Sequence, residues 1–136
     1  MDIHELGVEF RDSVVALWVE AGLTRPWNSP RHDFDRATQG ESSVVLGALD
    51  DGELVATAMV GHDGHRGWIY YMAVAESRRR TGLGRMMLHA AEEWVDRHGI
   101  TKIQLMVRDE NVEARDFYTH VGYEKSPVSV YGHRLH

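Results

Sequence analysis

A cluster of arginines and glycines between residues 78 and 85 is the part of this sequence best suited to do chemistry. Four arginines and two glycines lie in those eight positions, although the chain of 136 residues carries a formal net charge of −6. A helical pattern follows at once, so the cations meet the positive end of a helix dipole, which is unfavourable. A bound anion would resolve the conflict, because a glycine-rich turn at a helix start presents N–H groups that bind phosphate-like groups. The cluster predicts a phosphate-binding loop, with a basic surface turn as the simpler alternative.

The common nucleotide-binding motifs do not match this loop. A P-loop has a lysine directly after its second glycine, and no lysine follows Gly84. A dinucleotide-binding fingerprint has a third glycine at the position that Met87 occupies. These motifs therefore do not identify the anion.

A polar segment ahead of an apolar run holds Asp63 and His65. Histidine titrates near neutral pH, so both residues are candidates for proton transfer. Together with His62 they have a spacing that would suit a metal, but no third or fourth ligand is evident. A polar turn between strands is the better interpretation, and we expect no metal.

Tyr118 has two interpretations. It lies beside Phe117 and Val121 on the apolar face of a helical pattern, where an isolated tyrosine usually packs in the core. Its hydroxyl is also able to donate a proton to a reacting group. The pattern by itself does not choose between packing and catalysis.

Hydrophobic periodicity predicts the elements that position these residues. Strands are expected at 2–6, 42–49, 53–60, 68–75 and 102–107, with one or two closing strands in the tail 122–136, and helices at 8–21, 33–39, 83–98 and 112–120. Asp51-Gly52 is a strong hairpin signal. The helix between strands 68–75 and 102–107 makes a right-handed crossover, so those two strands should be parallel. The prediction is one α/β domain over residues 1–136.

Composition narrows the classes of protein. Hydrophobic residues make up 43% of the chain and charged residues 26%, which is typical of globular domains. Cysteine is absent, which excludes disulfides and thiol nucleophiles. No apolar run reaches membrane-spanning length and no signal peptide is evident. We expect a cytoplasmic protein that binds neither nucleic acid nor membrane. Exposed strand edges could pair between two copies, so a homodimer is possible.

Two segments carry a family resemblance. "RRTGLG", residues 79–84, matches the pattern [QR]-x-x-G-x-[GA], and "NVEARDFYTHVGY", residues 111–123, is similar to N-x-x-A-x-x-[FL]-Y-x-x-x-G-[FY]. Both are signatures of the GNAT N-acetyltransferase superfamily, which the chain resembles over most of its length. "LTRPWN" and "GHDGHRG" resemble a bacterial branch of it typified by YpeA. The resemblance implies a mixed, mostly antiparallel, twisted sheet flanked by about four helices.

The resemblance also implies a reaction and its residues. Acetyl-CoA would be the cosubstrate, and an amine of a small molecule or peptide would attack its thioester directly. The resemblance places the cofactor on the backbone of Met72, Ala73 and Val74, on the loop of Arg79, Arg80, Thr81, Gly82, Leu83, Gly84 and Arg85, and on Asn111 and Tyr118. Tyr118 would be the general acid.

The base and the acceptor site are less defined. Some relatives have a glutamate base where this chain has Trp68 or Met106, so Asp63, His65 or water remain the candidates. Arg25 and Trp27 lie where the resemblance implies the acceptor side, but a loop packed on the core explains them equally. A non-catalytic module that senses acyl-CoA on the same fold is the alternative function.

Overall fold

The structure is a computed structural model that describes residues 1–136. It contains two compact units, Met1–Met106 and Val107–His136. In chain order the elements are β1 Asp2–Glu5, α1 Arg11–Glu20, α2 Pro30–Gln39, β2 Ser43–Asp50, β3 Glu53–His62, β4 Gly67–Val74, α3 Leu83–Arg97, β5 Ile103–Leu105 and α4 Val112–His120, with short 3-10 turns at Val8–Phe10 and Glu76–Arg78. That residues 1–136 form one domain stays a prediction.

The first unit is built on one five-stranded sheet. Its strand order is β1-β2-β3-β4-β5, and every pair is antiparallel except β4 with β5, which is parallel. Asp51 and Gly52 both have positive φ, 52° and 83°, as the favoured two-residue hairpin turn requires. The predicted α/β fold, the hairpin and the parallel pair are therefore confirmed.

The helices begin and end at local signals. Ser29 caps α2 by accepting the N–H of His32 at 3.2 Å, and Pro30 occupies the first turn. This cap starts α2 three residues earlier than the periodicity predicts. Gly22 and Gly99, with φ of 73° and 78°, follow the ends of α1 and α3. No helix combines the length and apolar character needed to cross a bilayer.

Two helical layers bury the sheet's apolar side chains. One cluster joins α1 and α2 to the sheet around the fully buried Trp18 and Phe34. Helix α3 packs on the middle strands through Met87 and Val95. The approach of α3 to β4 is close: a Cβ added to Gly67 would lie 2.6 Å from both Cγ atoms of Val95. A side chain at 67 would therefore separate α3 from the sheet.

Two predictions about strands are corrected by the structure. Strand β5 spans three residues, Ile103–Leu105, instead of 102–107, because its ladder with β4 ends there. The tail 122–136 contains no strand, and Val128 and Tyr131 are exposed. A segment with alternating apolar residues forms a strand only where a neighbouring strand offers backbone hydrogen bonds. Pro127 and Gly132 further weaken the tendency of this segment to form a strand.

Replacing Gly67 by alanine is expected to destabilise the protein by about 1–3 kcal/mol, because the new methyl group overlaps Val95 and α3 must shift. Urea denaturation measures the loss. Gly40→Ala is the matched control, since a Cβ there meets nothing within 4 Å. The double variant with Val95→Ala should recover part of the loss, and equal midpoints for Gly67→Ala and Gly40→Ala would contradict the overlap.

Candidate active site

Strand β4 has an open edge along most of its length. It pairs with β5 only at Gly67, Trp68 and Ile69, and from Tyr70 to Val74 no strand lies on that side. Backbone N–H and C=O groups along such an edge are available to an extended ligand, which can add to it like a further strand. Three of the residues implied for the cofactor, Met72–Val74, lie on this stretch.

A β-bulge bends the open stretch of β4. The register with β3 pairs Ala73 with Thr57 but Tyr70 with Met59, so β4 contains one extra residue. Tyr71 adopts a left-handed backbone with φ of 52°. This conformation costs a non-glycine residue about 1–2 kcal/mol, so the surrounding contacts must hold it.

Three contacts hold Tyr71. Its ring stacks on Trp18 with a centroid distance of 3.9 Å and an interplanar angle of 13°. Its hydroxyl donates to Asp33 Oδ2 at 2.7 Å, and its carbonyl oxygen accepts a hydrogen bond from Thr57 Oγ1 at 3.3 Å. Burial and the Asp33 carboxylate raise the pKa of Tyr71 well above its usual range, so the phenol stays protonated and keeps donating to Asp33.

The loop after β4 ends at a helix start whose backbone N–H groups are unpaired. Arg80 and Gly82 have positive φ, 63° and 85°, and α3 begins immediately after them. Gly82 offers no side-chain cap, and the first turn contains no acidic residue. The first helical hydrogen bond runs from Met86 N to Gly82 O, so the N–H groups of residues 82–85 have no acceptor within the helix. A helix start with these features is suited to an anion.

The four arginines of the loop do not have one role. Arg78 forms an ion pair with Asp50, which lowers the pKa of Asp50 and raises that of Arg78. Arg79 Nε donates to the carbonyl oxygen of Val74 at 3.3 Å. Arg80 and Arg85 are exposed and form no ion pair, so they are the two guanidinium groups most available to a phosphate.

Asp63 is engaged in its own turn. Its Oδ1 accepts the N–H groups of His65 and Arg66 at 2.9 and 2.8 Å, and its Oδ2 accepts Trp68 Nε1 at 3.2 Å. These hydrogen bonds lower the pKa of Asp63 to about 2, which makes it a weak proton acceptor. No group of three or more candidate side chains is arranged for a metal. The segment has the geometry of a polar turn, with His65 exposed.

The loop between α1 and α2 holds Arg25 and Trp27. Arg25 Nη1 donates to the carbonyl oxygens of Gly22 and Thr24, both at 2.9 Å, and so fastens the end of α1. Trp27 is 55% exposed, which is incompatible with a plug in the core. The exposed indole of Trp27 and the guanidinium of Arg25 in the same loop therefore both stay candidates for acceptor contacts.

The second unit holds the other two implied residues. Asn111 caps α4, its Oδ1 accepting the N–H of Ala114 at 3.1 Å, as its position before the helix predicts. The ring of Tyr118 lies edge-on to Phe117 at 5.0 Å and tilted to Tyr123 at 5.8 Å. Burial raises the pKa of Tyr118 to about 12, so its phenol is neutral and able to donate a proton at physiological pH.

Sequence reasoning missed the residues that shape the bulge. The family resemblance implies that Met72 contacts the cofactor, but it implies no role for Trp18, Asp33, Thr57 or Tyr71. The only signal for them is the polar Thr57 in an otherwise apolar strand pattern, because the contacts join segments far apart in the chain.

The family of the chain is shown by comparison with known families. The model described as "Acetyltransferase (GNAT) family" matches residues 10–123, most of the chain. The protein belongs to this family, as the two signatures predict.

Solved structures share the fold. The BH1408 protein from Bacillus halodurans, as a tetramutant, is 25% identical with a TM-score of 0.80, over 99% of this chain and 100% of that one. AAC(6')-Iy in complex with the bisubstrate analogue CoA-S-monomethyl-acetylneamine is 17% identical with a TM-score of 0.84, over 98% of each chain. The aminoglycoside antibiotic 6'-N-acetyltransferase AAC(6')-IG from Acinetobacter haemolyticus is 17% identical with a TM-score of 0.78, over 98% of each chain. The mixed sheet with its parallel pair is the arrangement of GNAT structures.

Asp63→Ala is expected to lower the melting temperature at pH 7, because three donors lose their acceptor. The folded pKa of about 2 lies below the ordinary 3.8, so the carboxylate stabilises the fold above about pH 4. This stabilisation is lost as the pH falls towards 2, and the difference from wild type should shrink over that interval. Asp63→Asn, which keeps a carbonyl oxygen, is the control. A difference independent of pH would contradict the assignment.

Proposed function

We propose that this protein is an N-acetyltransferase that moves the acetyl group of acetyl-CoA to an amine by direct attack on the thioester. One observation carries the proposal: the open, bulged edge of β4 leads directly into a loop and helix start whose N–H groups have no acceptor in the helix. A ligand with an amide-containing arm at one end and a diphosphate next to it has the chemistry to match both parts.

The residues of the first unit fit this cosubstrate. Backbone groups of Met72–Val74 would pair with the amides of the pantetheine arm. The N–H groups from Arg79 to Arg85 would take the pyrophosphate, with the guanidinium groups of Arg80 and Arg85 adding charge. Acetyl-CoA supplies the activated acetyl thioester, and a backbone N–H of the bulge would polarise its carbonyl.

The proton transfers complete the proposal. As the amine nitrogen forms its bond to the carbonyl carbon, the C–S bond breaks, and Tyr118 would protonate the departing thiolate. The hydroxyl of Tyr118 makes no hydrogen bond to another residue, and it is not among the side-chain atoms that are buried without a partner. Its proton is therefore available. The amine would lose its proton to His65 or to water, because Asp63 is committed to its turn. No cysteine is present, in agreement with a route that lacks a covalent enzyme intermediate.

The acceptor is proposed only as a class. A cationic amine, carried by a small molecule or a peptide, fits a chain of net charge −6. Trp27 would form an apolar wall beside this acceptor, and Arg25 would bind a carboxylate group of the acceptor, not its amine. Two of the similar proteins, AAC(6')-Iy and AAC(6')-IG, are named as aminoglycoside N-acetyltransferases, and an aminoglycoside is an example of a cationic amine. Because the segments "LTRPWN" and "GHDGHRG" resemble the YpeA-like branch, we propose membership in that branch. A homodimer and a cytoplasmic location stay predictions.

A non-catalytic acyl-CoA sensor is the second candidate. The hydrogen-bonded Asp63 favours it, because one of the two side-chain candidates for the base is already occupied. A sensor would bind acetyl-CoA and release no free thiol with any amine, whereas the enzyme releases one CoA thiol for each acetylated amine.

Gly82→Asp is expected to weaken acetyl-CoA binding about tenfold or more, because a carboxylate would face the phosphates at the helix start; tenfold corresponds to about 1.4 kcal/mol. Calorimetric titration measures the dissociation constant. Gly82→Asn is the matched control: it has the same size, tolerates the same positive φ, and its Cβ also meets nothing within 4 Å. Equal affinities of the two variants would exclude phosphate binding here.

Tyr118→Phe is expected to lower kcat about 100-fold while leaving the acetyl-CoA dissociation constant near that of wild type. The phenylalanine keeps the ring contacts, so only the proton donor is lost. Because the pKa of Tyr118 is about 12, the wild-type rate should not fall through deprotonation of this residue below pH 10. An unchanged kcat in the variant would remove Tyr118 from catalysis.

A further inference from the structure

The orientation of one peptide group in the bulge depends on a side chain from the neighbouring strand. Thr57 is completely buried on β3, and it is the only polar residue among the fully buried ones. Its hydroxyl lies between two partners, the indole of Trp18 and the carbonyl oxygen of Tyr71. A buried hydroxyl has to be hydrogen-bonded, and this one connects β3 to two other elements, α1 and β4.

The direction of these two hydrogen bonds is fixed by chemistry. Trp18 Nε1 is only a donor, and it lies 2.9 Å from Thr57 Oγ1. The Thr57 hydroxyl must therefore accept from Trp18, and its own proton is directed to the carbonyl oxygen of Tyr71 at 3.3 Å. The carbonyl of Tyr71 is thereby held towards β3.

The other end of the same peptide group points the opposite way. No peptide bond of the chain is cis, so the N–H of Met72 is antiparallel to the carbonyl of Tyr71. It is directed away from β3, towards the side of β4 on which β5 pairs no further than Ile69. The ring of Tyr71 is clamped by Trp18 and Asp33, so the peptide cannot relax by rotation of the strand.

We propose that Thr57 is a positioning residue for acetyl transfer: by holding the carbonyl of Tyr71, it aims the N–H of Met72 at the open edge of β4, where the thioester carbonyl binds. This inference rests on the proposed function for its ligand. The N–H would stabilise the negative charge that develops on the carbonyl oxygen during attack, a task for which direction matters more than affinity.

The experiment follows the Met72 amide directly. Labelling with 15N-methionine reports on the few methionines of this chain, six in all, and Met72→Leu assigns the signal by its loss. Thr57→Val removes the hydroxyl at nearly constant shape, and Thr57→Ser restores it. Val45→Ala is the control, because it removes buried volume from the core cluster that contains Trp18 and leaves every hydrogen bond of Thr57 in place.

The proposal expects a specific pattern. Thr57→Val should move the Met72 amide signal of the ligand-free protein and lower kcat about tenfold or more, with an acetyl-CoA dissociation constant within about twofold of wild type. Thr57→Ser should return both the signal and kcat towards wild type. In the wild type, acetyl-CoA should shift the Met72 signal more than CoA does, since only the former has the carbonyl.

Other outcomes overturn it. A Met72 signal unmoved by Thr57→Val, or a fall in kcat no larger than that of Val45→Ala, would reduce Thr57 to a packing residue. Thr57→Ala covers the case in which Thr57→Val does not fold, since it also removes the hydroxyl, leaves the ring of Trp18 stacked on Tyr71, and should also move the Met72 signal. A wild type that binds no acetyl-CoA would instead refute the proposed function, while the ligand-free Met72 signal would still show whether the hydrogen bond to Tyr71 exists.

Discussion

The left-handed backbone of Tyr71 is the constraint on which the arrangement of the first unit depends. Where β4 accommodates this residue, its register with β3 shifts, and its ladder with β5 has already ended at Ile69. The open edge and the bulge therefore lie on the same stretch of β4. The strain of about 1–2 kcal/mol is offset by the ring stacking and the two hydrogen bonds of Tyr71, which are of the same order or somewhat larger, so the deformed strand is a stable part of the fold.

The arginine cluster gains a physical explanation from the partners of its members. Asp50, at the end of β2, holds Arg78, and the last carbonyl of β4 engages Arg79. These two residues anchor the loop to the sheet, while Arg80 and Arg85 remain exposed. Only Arg78 is neutralised by an ion pair, so three positive charges remain near the start of α3. Their charge attracts an anion within a protein that is acidic as a whole.

Features with local causes could be predicted from the sequence, and features with distant causes could not. The Asp51-Gly52 turn, the Asn111 cap and the span of α4 follow from a few adjacent residues, and all are confirmed. The bulge depends on Trp18 and Thr57, 39 residues apart, and on Tyr71 and Asp33, 38 residues apart, and no local pattern records such contacts. The prediction of strands in the tail 122–136 is wrong although its local pattern is clear. The alternation of apolar residues suits a strand, but a strand also needs a neighbouring strand to pair with. The arginine-glycine loop could be predicted because its residues are continuous in the sequence, whereas the contacts that hold the peptide before Met72 come from distant segments and could not.

A glycine at position 71 would adopt the same backbone without strain, so the choice of tyrosine needs a separate reason. The side chain provides one: its ring contacts α1 through Trp18, and its hydroxyl contacts α2 through Asp33. These two helices flank the loop that carries Arg25 and Trp27. Tyr71 consequently ties the peptide ahead of Met72 to both ends of that loop. In the proposed enzyme, the group that would polarise the thioester and the loop that would contact the amine are held in one rigid frame, which is what direct transfer between two substrates requires.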